Sequence, residues 1–124
     1  MVAPAVFMIS VSPAAGQMVV PKAKSMTSQQ VFGQQCGACH SDRPGEVRVG
    51  PSLAGLVGRK AGIMPGFVYS SRLKASRKIW SVAELDRWLT NSQTAVPGTT
   101  MNYAQPDQKK RALIIDYLTK ISRK

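Results

Sequence analysis

Cys36-Gly37-Ala38-Cys39-His40 is the stretch that decides the fold. Two cysteines three apart, followed at once by a histidine, form the C-x-x-C-H signature of covalent c-type haem attachment. On a helical turn, residues i and i+3 project to the same side, so both thiols reach the two vinyl groups on one edge of a porphyrin. His40 is then carried beneath the ring, where a neutral imidazole nitrogen binds iron. Gly37 and Ala38 keep the intervening backbone small enough to lie against the macrocycle. Three other readings fit less well. A redox dithiol expects a preceding strand in a βαβ context, and none is visible. A structural zinc site needs four ligands, and the chain has two Cys and one His. A chance occurrence in a buried helix would have to place both cysteines of the chain in the motif by accident. One copy of the motif means one haem.

Composition narrows what surrounds that haem. The 124 residues include 17 Lys and Arg against 6 Asp and Glu, a formal charge of +11, and 44% of them are apolar. Such a chain makes one modest domain rather than a disordered one, and its charge favours an acidic partner surface, an anionic membrane or nucleic acid. Nucleic-acid binding has no motif or aromatic–basic stripe behind it, so none is expected. Two Cys build no disulfide framework, and His40 leaves none over for a Ser-His-Asp triad. The same scarcity excludes bis-histidine ligation within the chain. Methionine is then the expected second axial ligand, and there are six. Met1, Met8 and Met18 lie in an N-terminal arm, and Met26 is too close along the chain to reach the opposite haem face. Met64 and Met101 remain. Met101 has the better context, in a loop between two amphipathic segments and far from His40.

Working outward, residues 1–21 contain no charged side chain. They resemble the apolar part of a signal peptide, with Ser12-Pro13-Ala14 as a cleavage candidate but without a basic n-region. An extended arm and a membrane anchor are the alternatives, the anchor weakened by Pro4 and Pro13. Residues 1–25 are therefore set apart as an arm, signal remnant or anchor, and 26–124 as the haem domain. Thr27-Ser28-Gln29-Gln30 predicts a capping box and a helix to about Cys39. Gly37 to Gly66 holds seven of the ten glycines and three of the eight prolines, which predicts irregular chain. So long a stretch without structure is tolerable when it wraps something other than its own side chains. Ser81-Val82-Ala83-Glu84 predicts a second capping box, with Val82, Leu85, Trp88 and Leu89 on one helical face ending near Asn91. Val96 to Met101 is a loop. Pro106 is expected in the first turn of a last helix, with Asp107 beside its N-terminus and Lys120, Arg123 and Lys124 at its end. Its buried stripe is Leu113, Ile114, Tyr117, Leu118 and Ile121. The fold class is all-α, three to four short helices and long loops wrapped around one covalent haem.

With those residues in hand, the chain resembles a class I cytochrome c of the mitochondrial and purple-bacterial soluble type from about Phe32 to Leu118. The resemblance is carried by Gly50-Pro51-Ser52-Leu53, Gly55-Leu56-Val57-Gly58-Arg59-Lys60, Pro65-Gly66-Phe67-Val68-Tyr69-Ser70, Trp80 and Val96-Pro97-Gly98-Thr99-Thr100-Met101. It implies attachment through Cys36 and Cys39 and iron ligation by His40 and Met101. It implies that the Pro51 carbonyl orients the His40 ring, that Arg59, Tyr69 and Trp80 hold haem propionates, and that Trp88 and Thr99 contact the cofactor. Phe32 and Tyr117 match an aromatic contact between the first and last helices. The chain departs from the family at four places. Ser28 stands for a small Gly at the helix crossing, predicting a looser one. Trp88 stands for a Tyr near the Met sulfur, Thr100 for a Lys, and Leu73 for a polar residue by the buried propionate. Fewer polar groups beside the iron favour a high potential.

The function so implied is a one-electron carrier and not an enzyme, with a weak peroxidase side activity if Met101 is displaced. Its expected partners are acidic-surfaced electron donors and acceptors of a respiratory or photosynthetic chain, such as a bc1-type complex, a terminal oxidase or a photosynthetic reaction centre. They dock at the exposed haem edge near the cysteine thioethers, approached through the basic residues of a monomeric carrier. The periplasm or the mitochondrial intermembrane space is the expected location. The alternative is a haem subunit of a larger oxidoreductase complex, tethered to the membrane through residues 1–21.

Overall fold

The computed structural model describes residues 2–123. Met1 of the arm and Lys124, expected at the end of the last helix, lie outside the described residues. Five helices follow in order: α1 (Ser28–Gln35), α2 (Ser71–Ala75), α3 (Val82–Thr90), α4 (Ser92–Ala95) and α5 (Gln108–Ser122). Among the described residues there is no strand, only one antiparallel bridge between Lys60 and Ile79. The all-α expectation holds, with α2 and α4 as additional single turns.

Local chemistry explains each boundary. The Thr27 box is reciprocal: the Gln30 N–H donates to Thr27 Oγ1 (3.2 Å) and the Thr27 N–H to Gln30 Oε1 (2.9 Å). Helix α1 stops at Gln35 rather than Cys39. Cys36 leaves helical geometry at φ −121°, and the N–H groups of Cys39 and His40 both return to the Cys36 carbonyl at 3.1 and 2.9 Å. The cysteines thus sit on a tight turn that still brings i and i+3 together. Ser70 starts α2 by accepting the Leu73 N–H (3.2 Å), a cap that the apolar periodicity did not reveal. Ser81 caps α3 through the Glu84 N–H, but the reciprocal half of the box is missing. The Glu84 carboxylate is drawn instead to Lys78 (3.0 Å) and Arg87 (2.6 Å). Helix α5 begins after Pro106 rather than including it in the first turn: Asp107 is its N-cap, accepting from the N–H groups of Lys109 and Lys110.

Packing centres on α5, which meets both α1 and α3. Phe32 and Tyr117 lie with ring centroids 4.7 Å apart. At Ser28 the crossing gains a hydroxyl that takes a hydrogen bond from Lys120 at 3.4 Å. Contact on two sides widens the buried stripe, so Ile115 joins Ile114 and Leu118, while Leu113, Tyr117 and Ile121 are half-buried. The segment from 36 to 70 has no helix and is tied down by polar contacts. The Tyr117 phenol donates to the Asp42 carboxylate, which pushes its pKa up to about 12. Ser122 Oγ accepts the Val57 N–H at 3.1 Å. Residues 2–26 carry no helix or strand and are exposed throughout. No helix among the described residues is long and apolar enough to cross a membrane.

Arg77, just beyond the C-cap of α2, is the one non-glycine residue with positive φ (54°) among those described. That position favours glycine, because a Cβ crowds the backbone there. Arg77→Gly is therefore expected to raise stability by about 1 kcal/mol, read as a higher denaturant midpoint with unchanged slope. A midpoint at or below that of the parent would contradict the strain.

Candidate functional site

All ten residues singled out from the sequence line one cavity of about 450 Å³: Cys36, Cys39, His40, Pro51, Arg59, Tyr69, Trp80, Trp88, Thr99 and Met101. Met64, the other methionine left open, does not line it. Its aliphatic wall is built by Leu53 and Leu56 from the irregular segment, Leu73 of α2, Leu85 and Leu89 of α3, and Ile114 and Leu118 of α5.

His40 is fixed on two sides. Its Nδ1 lies 2.8 Å from the Pro51 carbonyl. A carbonyl only accepts, so Nδ1 carries the proton and Nε2 keeps a free lone pair. Gly50 packs against the ring itself: a Cβ there would lie 2.7 Å from Nδ1 and nearer still to Cε1. Burial holds the His40 pKa below its ordinary value, opposed by the Pro51 bond, so the imidazole is neutral at neutral pH. Of the two cysteines, Cys36 is buried and Cys39 exposed. Burial first, and the neighbouring Cys39 second, push the Cys36 thiol up to about 12.

Met101 belongs to a loop that α4 grips. Ser92, fully buried, donates to the Met101 carbonyl (2.6 Å) and accepts the Tyr103 N–H (2.9 Å), so one hydroxyl holds the backbone on both sides of the methionine. The Gln93 amide donates to the Thr99 carbonyl (2.7 Å) and accepts the Gly98 N–H (3.2 Å). Gly98 itself has φ +85°, and the Arg72 stem passes 3.1 Å from where its Cβ would stand. Gln35 bridges from α1, accepting from Tyr103 Oη (2.9 Å) and Gln105 Nε2 (3.0 Å). Ser92, Gln93 and Gln35 escaped the sequence reading, since polar residues at such positions read as surface. Gly50, directly before Pro51, had a legible signal in its small size.

The electrostatics are one-sided. Arg59 and Lys60 line the cavity, and no Asp or Glu does. Arg59 is half-buried and donates to the Ala54 carbonyl (3.1 Å). Burial lowers its pKa from the ordinary value, yet a guanidinium so far above neutrality stays charged. Burial raises the Tyr69 pKa, while a bond to the Met64 backbone and the nearby Arg59 pull the other way. The Trp80 and Trp88 rings stand edge to face at 5.3 Å. No group of three His, Cys, Asp or Glu able to hold a metal ion occurs among the described residues. The donors therefore suit an iron held by a porphyrin rather than a metal held by protein alone. The residues fit a covalent haem: two thiols beside a neutral imidazole, an aliphatic wall, and a cation with no acidic partner for the carboxylates.

No protein-family model matches the chain. Cytochrome c2 of Rhodopila globiformis is 42% identical to it over 99 residues, which cover 79% of this chain and 93% of that relative. Cytochrome c of Tetrahymena pyriformis is 36% identical over 110 residues, covering 88% and 99%. Among solved structures, cytochrome cH from Methylobacterium extorquens matches with a TM-score of 0.69 at 39% identity, over 75% of this chain and 94% of that one.

Removing the Ser92 hydroxyl leaves the Met101 carbonyl and the Tyr103 N–H without that partner. Ser92→Ala should cost about 2 kcal/mol of stability, and Gln93→Ala, half-buried, less than about 1 kcal/mol. Denaturant unfolding of both variants checks the order, and a Ser92→Ala protein as stable as the parent would refute it.

Proposed function

We propose that this chain, which belongs to the class I cytochrome c family, holds its haem iron between His40 and Met101. It is a haem-based electron-transfer protein, not an enzyme, and its cofactor is a covalent c-type haem at Cys36 and Cys39. When bound, the haem supplies one iron that changes by a single electron between its ferric and ferrous states.

The chain's own residues do the rest. Pro51 and Gly50 orient the His40 imidazole so that Nε2 is the free donor. Ser92 and Gln93 hold the loop that presents Met101. Held in this way, the two side chains would leave a bound iron no open position for substrate, and groups already fixed would keep the structural change on electron transfer small. Arg59, Tyr69 and Trp80 supply the charge and hydrogen bonds for the propionates. Neither indole N–H has a protein acceptor among the hydrogen bonds of the described residues, and both rings line the cavity, which supports Trp80 as a donor into it. Leu85, Leu89, Ile114 and Leu118 keep water from the iron, Trp88 and Thr99 completing the wall beside Met101.

The observation that carries this reading is the presence of His40 and Met101, each with its backbone support, on one cavity with both cysteines. The finer assignments follow from it. The carrier meets acidic-surfaced donors and acceptors of a respiratory or photosynthetic chain, as its net charge of +11 favours. Relatives among bacterial cytochromes c2 and eukaryotic cytochromes c support the periplasm or the intermembrane space. A second reading, a haem subunit tethered through residues 1–25, is favoured by the exposure of Val6, Phe7, Ile9 and Val11. The intact mass of the native protein separates the two, since an export signal is lost and a tether is kept.

An absorption spectrum tests the ligation. The oxidised protein is expected to show the weak deep-red Met–ferric band, and Met101→Ala to lose it while the haem remains covalently attached. A band that persists in Met101→Ala would assign the second ligand elsewhere.

A further inference from the structure

The charge of this protein is not where its cysteines are. Ser25 to Asp42 and Trp88 to Gln108, the segments that supply Cys36, Cys39, His40 and Met101, contain no Lys or Arg at all. The cavity that the exposed Cys39 lines is also lined by Gln35, Thr100, Asn102 and Tyr103, all uncharged. An approach to the cysteine edge through basic residues, the sequence expectation, therefore meets one cation held against the motif, Arg48, which donates to the Gly37 carbonyl (2.8 Å) and is paired with Glu46. Between Val47 and Ala83, by contrast, seven Lys and Arg occur without one Asp or Glu.

Three of those seven are committed within the fold: Arg48 to Glu46, Lys78 to Glu84 and Arg59 to the Ala54 carbonyl. The other four, Lys60, Arg72, Lys74 and Arg77, are exposed and make no ion pair among the described residues. The backbone gathers them. Hydrogen bonds from Trp80 N to Arg59 O (2.9 Å) and from Ala61 N to Lys78 O (2.8 Å) lay residues 59–61 beside 78–80. Gly62 then meets the Lys74 backbone, its absent Cβ only 3.1 Å from Lys74 Cα. Arg77 is the most telling of the four. It occupies a left-handed position that favours glycine, and its side chain makes no ion pair among the described residues. Unrecovered strain of this kind marks functional positions.

We propose that Lys60, Lys74 and Arg77, bordered by Arg72, form the docking surface for a carboxylate-rich segment of a redox partner, while the one cation held against the cysteine motif, Arg48, is paired with Glu46. This rests on the reading of the chain as a carrier that meets acidic partners. Lys60 lies on both the lobe and the cavity, so a segment bound there is held beside the haem site. The lobe fits a protein better than a lipid surface. Its helix, α2, is five residues long and its residue Leu73 is buried, so the lobe has no amphipathic helix to insert. Charged side chains on short loops steer and register an acidic surface, and release it easily.

Isotope-labelled ferrous holoprotein, titrated with poly-L-glutamate at low ionic strength, tests the assignment. Amide shifts are expected to centre on residues 58–62 and 71–79. The double variant Lys74→Glu/Arg77→Glu should bind about tenfold more weakly. The control Lys109→Glu/Lys110→Glu, with the same change in net charge, should lose no more than about twofold. Arg77→Gly should weaken binding even as it stabilises the fold, and Arg77→Lys should restore binding; a purely structural Arg77 would show neither. Shifts centred on residues 36–40 or 99–103, or equal losses in the two double variants, would overturn the proposal. So would binding to phosphatidylglycerol–phosphatidylcholine vesicles through this lobe without binding to the peptide. Ascorbate reduction and ferricyanide reoxidation of the same samples keep the carrier reading separate: failed redox cycling sinks the carrier, and intact cycling with misplaced shifts sinks the lobe alone.

Discussion

The hydrogen bond from His40 Nδ1 to the Pro51 carbonyl, 2.8 Å long, spans the first loop of a segment that has no helix from Cys36 to Ser70. Much of the site depends on it. It selects the ring tautomer, leaves Nε2 as the donor and holds the imidazole against Gly50, where only hydrogen fits. The same loop is tied by the Gly50 N–H to the Cys39 carbonyl (2.7 Å) and the Leu53 N–H to the Ser41 carbonyl (2.9 Å). Irregular chain thus becomes a wall with its polar groups satisfied, which explains how so many glycines and prolines coexist with a defined cavity.

The opposite wall is held differently. Helices α3 and α5 contribute side chains that pack, whereas the Met101 loop is fixed through its backbone by Ser92 and Gln93. A loop held by backbone hydrogen bonds keeps its position without filling the cavity with side chains. Arg59 places a fixed cation at the cavity while Asp and Glu stay away, so the interior is prepared for carboxylates that the protein does not itself supply. In a chain of this size, a cofactor that fills such a cavity completes the core that the helices alone leave open.

Charge and chemistry are separated along the chain. Four of the six acidic residues, Glu46, Glu84, Asp86 and Asp116, pair with Arg48, Lys78, Arg87, Arg111 and Lys120, which leaves the cations of α2 and its approach unopposed. Net charge alone pointed to an acidic partner, and its distribution sets apart the unpaired cations on α2 and its approach. Arg77 shows why both levels are needed: by sequence it is one cation among seventeen, and only its φ of 54° sets it apart.

Most of the candidate site was legible beforehand because its chemistry is carried by rare residues in fixed order. Two Cys and one His in five positions leave few readings, and ten named positions prove to line one cavity. The long helices were legible for the same local reason, apolar spacing behind Thr and Ser caps. Where local rules met competing partners, the expectation slipped: Glu84 chose Lys78 and Arg87 over its box, and α1 ended at Gln35 where the backbone turns tightly between the cysteines. Ser92, Gln93 and Gln35 were illegible because a polar side chain carries no mark of whether water or a distant carbonyl will satisfy it. The sequence by itself determined the cofactor, the attachment points and the helical class, since these depend on residue type and short spacing. Only the tertiary structure decided what grips the Met101 loop and where the unpaired cations gather, because those depend on contacts between residues far apart in the chain.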